Sequence, residues 1–245
     1  TLQALTKQYV DISGADLVVV GNVPQGAGLS SSASFEIAIL KTFAQLNDID
    51  LSGVQAALMG QQAENNFVGC NCGIMDQLIS ALGKKNNAML LDCRTLTYQH
   101  APIPDSMALL IVNSNVKRGL VDSEYNTRRK QCEEVARYFN KSALRDVTLE
   151  QLLSAQDQLS SDLIKRAKHV ITENTRTESA LIALQNNDMI KMSELMAQSH
   201  ISLKNDFAVT TPEMDYLVEL IGSKLGDKGG VRMTGGGFGG CVVAL

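Results

Sequence analysis

No run of apolar residues in the chain approaches the length of a membrane span, and no signal-peptide pattern is visible. A basic surplus is missing as well. Lys and Arg number 22 against 26 Asp and Glu, a formal net charge of −4, which argues against nucleic acid as a partner. Histidine is scarce: His100, His169 and His200 stand far apart, without the spacing that bound zinc requires. The cysteines Cys70, Cys72, Cys93, Cys132 and Cys241 form an odd set with no C-x-x-C spacing and no disulfide framework, so a reducing cytosol is the expected compartment. Cys70-Asn71-Cys72 has the wrong spacing for a metal pair and reads as packing. There is no repeat, low-complexity tract or linker.

What the chain does have is a core of ordinary size. Its 245 residues are 44% hydrophobic, enough for one large or two modest domains. The first residue is Thr1 rather than Met, and the last five form an apolar stretch with no closing turn or helix. A piece of a longer polypeptide is the expectation.

The chain is organised around Pro24 to Ser34, PQGAGLSSSAS. The apolar run Leu17 to Gly21 before it has the length and β-branched content of a buried strand. After it, Phe35, Ala38, Ile39, Thr42, Phe43 and Leu46 recur at helical spacing. Gly26 and Gly28 let the backbone curl around a ligand, with Ala27 between them and Leu29 after. Ser30, Ser31 and Ser32 place hydroxyls beside the unpaired N–H groups of a helix start. The pattern describes a phosphate cradle. A Gly/Ser turn that merely caps a helix is the bland alternative. A dinucleotide fingerprint fits poorly, because Ser31 replaces its third glycine and no second strand precedes Asp48. A P-loop lacks its lysine.

Further along, Ser52 is a plausible N-cap for a helix over Val54 to Phe67, and Met75 to Leu82 is a short amphipathic helix. Three strands, near Ala88 to Cys93, Leu96 to Ala101 and Met107 to Asn113, suggest an antiparallel meander. The second half is mostly helical: Asp122 to Phe139, a helix from Leu149 capped by Thr148, Ser161 to Gln185 as one or two helices, Met189 to Ser202, and Pro212 to Leu225. Val231 to Met233 and Val242 to Leu245 read as strands. Strands and helices are segregated, so the fold class is α+β. A boundary is expected between residues 115 and 145, giving domains 1–120 and 121–245.

Thr234 to Gly240, TGGGFGG, is a second glycine run. A hairpin loop is its simplest reading, although five glycines are entropically costly unless something approaches the backbone. Glu64 alone reads as a solvated charge and Asp76 as a helix-dipole contact. Phosphoryl transfer, however, needs an acidic ligand for magnesium and a carboxylate at the acceptor hydroxyl. Arg128-Arg129-Lys130 reads as a solvated helix face.

PQGAGLSSSAS resembles the ATP-phosphate loop of the GHMP small-molecule kinases, and RMTGGGFGGC, Arg232 to Cys241, resembles their third motif. NNFVGCNCGIMDQLISALGKK and SEYNTRRKQCE resemble the galactokinase branch. The resemblance implies a two-lobed fold, ribosomal-protein-S5-like in its N-terminal part and ferredoxin-like in its C-terminal part, here short at both ends. It implies ATP and Mg2+ as cofactors and galactose as the small-molecule partner, with a monomer the simpler expectation. ATP would lie on Gly26, Ala27, Gly28, Leu29, Ser30, Ser31, Ser32, Gly235, Gly236 and Gly237. Magnesium would fall to Ser32 and Glu64, catalysis to Asp76, and sugar contacts to Gly73, Asp76 and Tyr125. The family's N-terminal sugar-contacting segment has no match here. The chain by itself is therefore expected to phosphorylate galactose poorly or not at all. Another GHMP kinase, or a galactokinase-like regulator that binds ATP and galactose without catalysis, are the alternatives.

Overall fold

The computed structural model describes residues 1–9, 11–116 and 121–245, with side chains from residue 124 in the last segment. In chain order the elements are α1 (Leu2–Thr6), α2 (Ser31–Leu46), α3 (Gly53–Ala63), a π-helical turn (Glu64–Val68), α4 (Met75–Leu82), β1 (Asn87–Leu91), β2 (Tyr98–Pro102) and β3 (Leu110–Asn113). Then come α5 (Val121–Tyr138), α6 (Leu149–Ser154), α7 (Ser161–Gln185), α8 (Met189–Ser202), a second π-helical turn (Leu203–Phe207), α9 (Pro212–Leu225), β4 (Val231–Met233) and β5 (Cys241–Ala244). The α+β class holds. The contacts divide into two compact units, Thr1–His100 and Ala101–Leu245. The expected boundary at residue 120 falls outside the described residues.

In the first unit α1, α2 and α3 share one apolar cluster, which includes Leu5, Leu40, Phe43 and Met59. Ala57, Ile74 and Leu78 join α3 to α4 beneath β1 residues Met89 and Leu91. Ser52 caps α3 as expected, through a full capping box with Gln55. The apolar face of α2 differs from the sequence reading. Phe35, Ala38, Thr42 and Leu46 are exposed, Ile39 and Phe43 are buried as expected, and the buried stripe also takes in Ala33, Glu36, Ile37, Leu40 and Ala44. That stripe keeps helical spacing but is rotated, because α3 and α4 pack on it.

The strand expected over Leu17 to Gly21 is absent. Those residues take no regular structure, and Val18 and Val20 are more than 90% exposed. β-branched residues favour a strand only where another segment pairs with it, and none of the described residues does. The meander also fails at its third strand. β1 pairs with β2, but β3 joins the second unit's sheet, in the order β3-β5-β4. Both pairings there are antiparallel, with Leu110 and Val231 flanking Ala244. The central strand β5 and its neighbour β4 pack against α9 through Val242, Met233 and Met214. Ser161 to Gln185 is one continuous 25-residue helix. No helix among the described residues is long and apolar enough to cross a membrane.

A buried histidine makes the second unit sensitive to acid. His169 of α7 shares a hydrogen bond with Ser202 at 3.0 Å and lies against Phe207 at 4.5 Å between ring centroids. Burial, the largest cause, lowers its pKa from 6.5 to about 4, and the nearby Glu173 only partly opposes this. The unfolded chain therefore takes up this proton before the folded one does, and stability falls as pH drops from 6.5 toward 4. His169 alone is expected to contribute a loss of about 2 kcal/mol between pH 7 and pH 5. Urea titrations at the two pH values check it, and His169→Gln should remove that part of the slope.

Candidate active site

Residues 25–28 form consecutive turns and Leu29 is a bend. Gly26, Gly28 and Ser30 all carry positive φ, at +70°, +75° and +59°. A Cβ on Gly26 would meet nothing, so glycine is needed there for its conformation and not for space. The backbone curls as expected and turns directly into α2, which begins at Ser31, four residues earlier than its apolar pattern. Ser30 is the N-cap but gives no side-chain cap, so the first-turn N–H groups of a 16-residue helix lack a capping side chain. Ala27 is buried and anchors the turn. The arrangement suits an anion.

At the mouth of this turn stands Ser32, exposed, with its hydroxyl donating to Oε1 of Glu64. The reading of Glu64 as a solvated charge is corrected here: only 8% of it is exposed. The π-helical turn explains its placement. The Glu64 carbonyl accepts from Gly69 N at 2.9 Å and Cys70 N at 3.3 Å, so α3 widens where Glu64 leaves it. A hydroxyl and a buried carboxylate are two hard oxygen donors. The described residues hold no cluster of three metal-ligating side chains. Magnesium suits such a site, since it keeps water and phosphate oxygens as its other ligands.

Asp76 occupies the first turn of α4, half-buried, three residues after the exposed Gly73. The loop before α4 carries the Cys72 thiol. The pKa of that thiol is raised by burial first, and then by the charges of Glu64, Asp76 and Glu36. Glu36 is a buried acid that sequence reasoning missed. It is 4% exposed, and its pKa is raised to about 7, mainly by burial and further by Glu64. The available signal was an acid interrupting the apolar stripe of α2.

In the second unit, Thr234 to Gly240 is the hairpin loop between β4 and β5, as its simplest reading had it. Gly235, Gly237, Gly239 and Gly240 have positive φ. The Phe238 N–H donates to the Val209 carbonyl at 2.7 Å, and the Gly240 carbonyl accepts from the Ser114 hydroxyl at 2.7 Å. Gly235 is exposed. Tyr125 of α5 lies beside Gly236, its Cδ2 at 3.7 Å from the position of a Cβ there. The side chain of Ser123, in the same motif, lies outside the described residues. Arg128 is not the solvated residue expected. It donates to the carbonyls of Phe207 and Ala208 at 2.8 and 3.0 Å, and its guanidinium lies 5.6 Å from the Phe238 ring centroid. It thus braces the glycine loop, while Arg129 pairs with Glu133 on the exposed face.

A glycine turn opening a helix, with a hydroxyl–carboxylate pair at its mouth and a second glycine hairpin on an α+β scaffold, belongs to a class of small-molecule kinases. Residues 1–84 match the GHMP kinases N terminal domain and residues 180–245 match GHMP kinases C terminal. The chain belongs to the GHMP kinases. It is similar to the crystal structure of Lactococcus lactis galactokinase complexed with galactose, with a TM-score of 0.87 and 36% identity over 92% of this chain and 59% of that one. A mevalonate kinase structure shares the fold, with a TM-score of 0.52 and 20% identity over 90% of this chain and 58% of that one. The chain thus spans about three fifths of the length of either relative.

Proposed function

We propose that the protein transfers the γ-phosphoryl group of ATP to the anomeric hydroxyl of D-galactose, giving galactose 1-phosphate and ADP. The observation that carries this reading is the Ser32–Glu64 contact, made across 32 residues of sequence at the opening of an uncapped helix. Similarity to a galactokinase structure supports the choice of acceptor. The backbone N–H groups from Gly26 to Ser32, and those of Gly235, Gly236 and Gly237, would hold the phosphates. Ser32 and Glu64 would hold Mg2+, which bridges phosphate oxygens and offsets their charge when bound. Asp76 would accept or orient the proton of the anomeric hydroxyl as its oxygen bonds to the γ-phosphorus and the bond to the β-phosphate oxygen breaks. Gly73 and Tyr125 would contact the sugar.

ADP release measured across acceptors tests this on the protein at its natural length. Galactose should exceed glucose, mannose, mevalonate and homoserine by about 100-fold or more in kcat/KM, the discrimination expected where a site hydrogen-bonds a specific hydroxyl. Preference for another acceptor would replace galactose in this reading. Tight ATP and galactose binding without ADP release would make the protein a sensor.

A further inference from the structure

Three helices of the first unit meet at a polar contact inside an otherwise apolar interface. Glu36 on α2 is 4% exposed and Gln77 on α4 is 2% exposed. Gln77 Nε2 donates to Glu36 Oε2 at 3.2 Å. The pair lies directly on the backbone of α3. A Cβ at Gly60 would sit 3.0 Å from Gln77 Cγ and 3.1 Å from Glu36 Oε2. Glycine at this position lets the two side chains bridge from α2 to α4 across α3. Gln77 Oε1 is buried without a partner. Burying this much polarity without full satisfaction destabilises, so the pair is not there for stability alone.

Its place in the sequence shows what it can set. Glu36 is one helical turn after Ser32, Gly60 is four residues before Glu64, and Gln77 follows Asp76. Each member is thus on the same element as, or next to, one of the three groups assigned to phosphoryl transfer. We propose that the Glu36–Gln77 hydrogen bond, seated on Gly60, is a positioning element that fixes Asp76 relative to Ser32 and Glu64. The proposal rests on the kinase reading above. An apolar contact would let α4 slide by fractions of an ångström, whereas a directional bond does not. Misplacement of a reacting group by about 1 Å can cost about 100-fold in rate.

Exchange of the two side chains tests this on the protein at its natural length. Gln77→Glu removes the amide donor of the pair and places two carboxyls together beside Glu64. kcat should fall about tenfold or more, with KM for ATP within about threefold, assayed well below the melting temperature. Glu36→Gln keeps an acceptor for Gln77 and should hold kcat within about threefold. The double exchange Glu36→Gln with Gln77→Glu restores one donor and one acceptor and should recover most of kcat. Crystal structures should show Asp76 displaced from Ser32 by about 1 Å in Gln77→Glu and returned in the double exchange. Wild-type kcat in Gln77→Glu, no recovery on exchange, or loss in Glu36→Gln would overturn the proposal. If the parent phosphorylates an acceptor other than galactose, the galactose reading fails and the same ratios are read on that acceptor. If it phosphorylates none, the Asp76 displacement decides.

Discussion

Asp76→Asn is expected to lower kcat by about 1000-fold and to leave MgATP affinity within about threefold. The substitution keeps the size of the side chain and removes its charge and its capacity to accept a proton. Asp76 sits half-buried in the first turn of α4. In a loose transition state the acceptor hydroxyl needs little activation, so much of the loss would come from misorientation of the anomeric oxygen. Glu64→Gln should give the opposite pattern, a higher magnesium requirement with the acceptor KM little changed, because Glu64 faces Ser32. Rapid-mix chemistry and calorimetric MgATP binding separate the two. An Asp76→Asn enzyme that keeps a third of the parent rate would remove Asp76 from the chemistry.

Gly237→Ala is expected to cost about 3 kcal/mol or more of stability, a fall of about 10 °C in melting temperature. At φ +84° an L side chain is strained, and its Cβ would lie 2.3 Å from the Val209 carbonyl oxygen and 2.7 Å from Val209 Cβ. That carbonyl already accepts from Phe238 N, so relief of the clash breaks the bond that fixes the loop. Gly236→Ala is the informative partner. Its Cβ would meet only Tyr125 at ordinary contact distance, and its φ is not in the left-handed region. It should melt within about 2 °C of the parent but bind ATP about tenfold more weakly, because a methyl group keeps phosphate off the backbone. If Gly236→Ala left ATP affinity unchanged, the hairpin would be structural only.

Much of this was legible in the sequence because local chemistry decided it. Ser52, Thr148 and Pro212 mark helix starts that the structure reproduces. Met75 to Leu82 and Met189 to Ser202 match residue for residue, as each has a clean apolar period. What escaped was set by tertiary partners. Leu17 to Gly21 has strand propensity but no pairing segment among the described residues. β3 follows β2 in sequence yet pairs with β5, 130 residues away in the chain, which no local signal encodes. Glu36 and Arg128 look like ordinary surface charges until their helices pack. Only then do they become a buried bridge and a brace for the glycine hairpin. Ser32 and Glu64 were paired by family resemblance; their contact depends on a π-helical turn with no evident sequence mark.

The Gly26 to Ser32 turn is expected to hold phosphate beside a metal on Ser32 and Glu64. A crystal structure of the protein at its natural length with magnesium and a non-hydrolysable ATP analogue tests it most directly. The expected result has amides from Gly26 to Ser32 hydrogen-bonded to phosphate oxygens, with Ser32 and Glu64 on the metal. Phosphates bound away from the Gly26 to Ser32 amides, or a metal that touches neither Ser32 nor Glu64, would contradict it.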